Sequence, residues 1–136
     1  MANSATPGSP AITHAGVFDA TAAKELQDTL ANGAQVVLTG SADALPMSGI
    51  VCLNTAGVDA TTLATPKAGP QPTGDDGKTI FVYDNTGNAH TITTASNKIL
   101  PSKHILTFNG TAGSNAWLVA ANGIWVPAGL TGVTAS

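Results

Sequence analysis

From residue 34 onward the chain alternates short apolar runs with clusters of Gly, Asn, Pro and Asp. The runs are AQVVLT (34–39), SGIVCL (48–53), ATTLA (60–64), KTIFVY (78–83), AHTITT (89–94), HILTF (104–108), AWLVA (116–120) and GIWVP (123–127). Each is strand-length and rich in β-branched or aromatic residues, and turn signals recur every ~8–12 residues, the spacing of an all-β sandwich or barrel. Asn122-Gly123 is the strongest of these signals, because a two-residue type I′ hairpin needs φ > 0 at both central positions. GSADALPM (40–47) and TPKAGPQPTGDDG (65–77) are too rich in Pro and Gly to be anything but loop. The pattern predicts a mainly β fold, a small antiparallel β-sandwich or barrel.

The two sides of these strands differ less than a half-exposed sheet requires. Ile80 and Val82 point one way and Phe81 and Tyr83 the other; Trp117 and Val119 oppose Leu118, and Ile124 and Val126 oppose Trp125. Both faces are apolar, whereas a sheet with one solvated face alternates cleanly. The second face needs a cover, from a packed sheet, a helix or another copy of the chain. Before residue 34 the pattern changes. Residues 1–17, MANSATPGSPAITHAGV, are uncharged, broken by Pro7 and Pro10 and without helical period, so they are expected to form an extended arm. Residues 19–31 carry Asp19 or Thr21 as N-cap, Ala22, Leu26 and Leu30 on one face and Gly33 beyond the end, the marks of one short helix. The expected organisation is an arm over 1–17 and a single β domain over 18–136.

Charge changes the picture more than length does. Only 10% of the 136 residues are charged, against about 25% in ordinary domains. Such a surface is either covered by Thr, Ser, Asn, Gly and Ala or covered by neighbouring subunits. The net charge of −3 and five scattered lysines do not make a phosphate-binding surface, so no nucleic-acid partner is expected. No apolar run approaches the ~20 residues that span a bilayer, and no signal-peptide pattern opens the sequence. No membrane association is expected, and synthesis is expected in a reducing cytoplasm. Cys52 is the single cysteine, and in GIVCL it reads as a small buried hydrophobe.

Candidate chemistry is sparse. Asp75 and Asp76 are adjacent, without the alternating oxygen ligands of a calcium loop, and suit a turn entering KTIFVY. His90 and His104 fall on successive strands and can be imagined sharing a metal. A zinc site, however, needs three or four ligands, and no Cys pair or H-E-x-x-H motif accompanies them or His14. A hydrogen-bonded histidine in a polar seam is the simpler expectation. There is no G-x-S-x-G elbow, GDDGKT has the ending of a phosphate loop without its spacing or its helix, and Asn109-Gly110-Thr111 is an isolated sequon. No catalysis, cofactor or metal is expected.

The order DGKTI, AHTITT, TFNGTAGSNAWLVA, NGIWVP and GVT, between Gly74 and Val133, resembles a recurrent module in structural proteins of tailed bacteriophages. The resemblance implies a non-enzymatic virion component with a compact β-barrel or β-sandwich, often trimeric. Within that group the chain is most similar to capsid decoration (cement) proteins. The implied partners are the major capsid protein and further copies of the chain, at the capsid surface of the virion. The arm would then dock on the shell, with Pro7, Pro10, Ile12 and Val17 as its contact residues. The alternative is a tail or head fibre module that binds host-surface carbohydrate through Trp117, Trp125 and Tyr83, although both tryptophans fall in predicted strands and core packing is the favoured expectation for them.

Overall fold

The computed structural model describes residues 35–40 and 42–136. The proposed arm with Pro7, Pro10, Ile12 and Val17, the short helix and His14 lie outside the described residues. Residues Gln35–Ser136 form one compact unit. It consists of β1 (Gln35–Leu38), β2 (Gly49–Leu53), β3 (Ala60–Thr62), β4 (Thr79–Asp84), β5 (Thr91–Thr93), β6 (Ile105–Phe108), β7 (Asn115–Ala121), β8 (Ile124–Thr131) and β9 (Val133–Ala135). Every strand-length apolar run of this part of the sequence overlaps one of them. The fold is mainly β, as expected, and among the described residues there is no helix.

Pairing departs from the expected antiparallel arrangement. One sheet has the order β1-β2-β4-β7-β8 and the other β3-β5-β6-β9, and neither closes into a barrel. Both are mixed: β1–β2, β2–β4 and β3–β5 are parallel, and the remaining pairs antiparallel. The physical reason is the route of the connections. After β1 the chain leaves for the second sheet, where Ala44 bridges Thr62 and Leu45 N–H donates to Thr62 O at 2.8 Å, before returning as β2. After β2 it visits the second sheet again as β3 and comes back as β4. An excursion of one segment to the other sheet returns the chain to its first sheet in the same direction, whereas the two-strand excursion through β5 and β6 returns it reversed, as β7 against β4, and a tight hairpin also reverses. The hairpin the sequence signalled most strongly is antiparallel as expected: β7–β8 turns on Asn122 (φ 52°) and Gly123 (φ 80°), both left-handed as a type I′ turn demands.

Buried side chains of both sheets form one hydrophobic cluster. Val51, Leu53, Ile80, Val82, Leu118 and Trp125 come from the first sheet, and Ile92, Leu106, Phe108 and Val133 from the second. The alternation in β4 and β7 follows this: Ile80, Val82, Ala116, Leu118 and Ala120 are fully buried, and the residues between them are not. Two elements were not anticipated. β8 runs on through Pro127 to Thr131, and β9 follows after Gly132. Proline is tolerated there because β8 is an edge strand, where a missing N–H removes no ladder bond from the sheet interior.

Candidate interaction surface

The polar residues of the turn after β4 are drawn into one buried network. His90, Asp84 and Asp59 are all fully buried. Asp59 N–H donates to His90 Nδ1 at 2.9 Å, so Nδ1 carries no hydrogen. The ring hydrogen is therefore on Nε2, which faces Thr86 Oγ1 at 3.0 Å and Asp84 Oδ1 at 3.3 Å. Thr86 Oγ1 also accepts from Asn88 Nδ2 at 3.0 Å, which leaves its own hydrogen for Asp84 Oδ1 at 3.1 Å. Asp84 Oδ1 further accepts from Thr86 N and Gly87 N, and Asp59 Oδ1 accepts from Ala42 N.

This chain of donors decides what His90 does. A base that activates a hydroxyl must accept its proton, and here the ring donates to Thr86 instead. Both nitrogens are committed and no solvent reaches the ring. His90 ties three loops together, the hydrogen-bonded role expected of it. It does not meet His104. The register Thr91↔Thr107 and Thr93↔Ile105 places His90 level with Phe108 and His104 level with Thr94. Four strand positions separate them, about 13 Å. Among the described residues no three His, Cys, Asp or Glu side chains gather to hold a metal ion.

The acidic pair is a turn, as its spacing indicated. Asp75 accepts from Lys67 N at 2.7 Å and pairs with Lys78 Nζ at 2.8 Å, while Asp76 Oδ1 accepts from Asn122 N at 2.7 Å. The Lys78 hydrogen bond, then the Lys67 N–H, hold the Asp75 carboxyl below its ordinary range. Both carboxylates are used in fastening the long loop to β4 and to the β7–β8 hairpin. Gly77, Lys78 and Thr79 continue into a strand rather than a helix, so no phosphate loop is formed.

What remains unabsorbed is the outer face of the first sheet. Pairing registers align Gln35, Ile50, Phe81, Trp117 and Gly129 in one row across all its strands. Trp117 is 49% exposed and Ile50 38%, with Phe81 half-buried between them. The next row carries Val37, Cys52, Tyr83 and Asn115. Val37 is 48% exposed, whereas Cys52 is buried as expected and Tyr83 donates its phenol hydrogen to Gln35 Oε1 at 2.8 Å. Contact with Cys52, then lost hydration, raises the Tyr83 phenol above its ordinary 10.0. A groove of about 400 Å³ lies on this face, lined by Gly49, Ile50, Thr79, Phe81 and Trp117.

The strand pairing accounts for the exposure of Trp117. A bulge falls at Trp117/Leu118, where Ala128 is the extra residue of β8, and Gly129 stands opposite the indole. No large side chain from β8 can cover the ring, and bulges commonly redirect a side chain in this way. The two tryptophans thus part company. Trp125 is fully buried and donates its indole N–H to Ala64 O at 2.9 Å, the favoured core role, which removes it as a sugar-stacking residue, whereas the exposed Trp117 corrects the expectation that it too packs in the core. Alternation in AWLVA and GIWVP placed both rings in strands, but which face lay inside was set by the second sheet. Ile50, Phe81 and Thr79 were not singled out as surface residues, and only their alternation opposite Val51 and Ile80 could have found them. No helix among the described residues is long and apolar enough to cross a membrane. No protein-family model matches the chain, and no curated protein matches its sequence.

Proposed function

We propose that the chain is a structural protein of a bacteriophage virion, a capsid decoration (cement) protein whose two sheets pack as a β-sandwich. It binds the outer capsid surface as a homo-oligomer, a trimer in the simplest case, and stabilises the head without catalysis. Residues 1–17, with Pro7, Pro10, Ile12 and Val17, supply contacts to the major capsid protein. The order of motifs between Gly74 and Val133 motivates the assignment. The observation that carries it furthest is the uncharged, apolar outer face around Ile50, Phe81 and Trp117, a surface suited to contact with protein. Many weak contacts repeated by symmetry then act together, since linkage raises avidity by ~10²–10⁴.

Immunogold labelling of intact virions tests the assignment. Label at regular positions over the head is expected, and removal of residues 1–17 should abolish attachment while the fold persists. Label restricted to the tail would sink the decoration role. It would favour the fibre reading, which the exposed Trp117 keeps in play; glycan binding lost in Trp117→Ala would then be the result to look for. Absence from the virion would reject both.

A further inference from the structure

We propose that the row Ile50–Phe81–Trp117 is the surface through which one copy of this chain holds another, with the indole of Trp117 seated in the facing copy's groove over Gly49 and Thr79. The inference rests on the homo-oligomeric part of the proposed function but not on the trimer: two copies that meet through the same patch are related by a two-fold axis and form a pair. Three observations on the face itself select a second copy as the occupant. The first is charge. The chain carries a net −3, so copies repel one another in general, yet neither row of the face holds an Asp, Glu, Lys or Arg. Like can meet like there without a buried charge, which would otherwise cost several kcal/mol.

The second is shape. The face offers both a projecting group, the half-exposed indole, and a recess of about 400 Å³ beside it. Glycines leave room around both: a Cβ added at Gly49 or at Gly129 would meet nothing within 4 Å. A patch that contains its own knob and its own hole is what self-association through a single surface requires. The lining also speaks against a small polar ligand, because Thr79 is the only polar side chain in it.

The third is area. An aromatic side chain brings about 150–250 Å² to a contact when fully covered. Partly covered as they are, Trp117 and Phe81 with Ile50 and Val37 offer on the order of 400 Å² per copy, half of the ~800 Å² per partner in a standard stable interface. Association through this face is therefore reversible and concentration-dependent, and is strengthened when copies are held side by side on a repeating surface.

Sedimentation velocity of the full-length protein over a wide concentration range tests the proposal, with Gly129→Glu and Trp117→Lys as variants. Gly129 suits this use because its backbone is unstrained and the added side chain enters open space beside the indole. The wild type is expected to associate reversibly, and each variant to weaken association at least ~tenfold with an unchanged melting temperature. Acrylamide quenching of the wild type gives a readout that depends on no variant: the accessible tryptophan, Trp117, should become protected as concentration rises. Association of the wild type with undiminished association of both variants, or with unchanged quenching, would overturn this surface while leaving the oligomer in place. A wild type that stays monomeric throughout would overturn the surface and the oligomer together. Attachment to heads, followed separately by labelling, stands or falls independently of either result.

Discussion

Replacing His90 with alanine removes, in one step, the acceptor for Asp59 N–H and the donor to Thr86. Asp59 N–H is then unpaired in a buried site, at about 1–3 kcal/mol, and the deleted ring leaves a cavity that costs more, whereas half-buried Thr86 keeps Asn88 and Asp84 as partners. A loss of roughly 3–4 kcal/mol in urea unfolding is expected for His90→Ala; a change under about 1 kcal/mol would show that the network contributes little. Tyr83 gives a second residue-level test. It is the only tyrosine in the sequence, so absorbance titration reads it alone. Its folded phenol is raised by Cys52 first and by lost hydration second. A raised value means the neutral phenol is favoured in the fold, so its contribution is present below the unfolded pKa and is lost as pH rises through the folded one. The midpoint should lie above 10.0 and fall towards it in Cys52→Ala; an ordinary midpoint in the wild type would contradict the contact.

Among the elements, the loop from Lys67 to Lys78 shows how a segment without regular structure can be rigid. Gly74 packs so closely on the Gly69 backbone that a Cβ there would lie 2.1 Å from Gly69 O. Gly74→Ala must therefore displace the turn that holds Asp75 and Asp76, and a loss of about 2–4 kcal/mol is expected. Gly57→Ala is the matched control, since a Cβ at Gly57 meets nothing within 4 Å and needs no left-handed backbone. Equal stability of the two variants would sink the argument. The sequence made this loop legible as loop, through its prolines and glycines. It did not reveal the loop's fastening, because Lys67 N–H and Asn122 N–H reach Asp75 and Asp76 only after the fold brings them there. The strands show the same division. Their positions followed from alternation and turn residues, but β9 has too few residues, Val133–Ala135, to carry a pattern of its own.

At the scale of the whole molecule, the buried side chains of the hydrophobic cluster among the described residues lie between Leu45 and Val133, with Leu38 and Ala135 packed against it. Residues 35–136 expressed alone should accordingly unfold in one cooperative transition; a gradual, non-cooperative melt would show that the core is incomplete without the preceding residues. The two tryptophans separate interior from surface at this scale. Trp125→Ala opens a cavity in the shared core and should cost about 3–5 kcal/mol. Trp117→Ala should change stability by less than about 1 kcal/mol, since half of its surface is already exposed.

The sequence by itself determined the β class, the positions of most strands, the Asn122-Gly123 hairpin, the acidic turn and the burial of Cys52 and His90. All of these depend on neighbours along the chain, through alternation, turn conformation or composition. Tertiary structure decided the parallel pairing of β1, β2 and β4, the separation of His90 from His104, and the difference between Trp117 and Trp125. A local pattern records which residues share a face of a strand. It does not record which strand lies alongside or which face the other sheet covers, and on this chain those two facts place the exposed aromatic row.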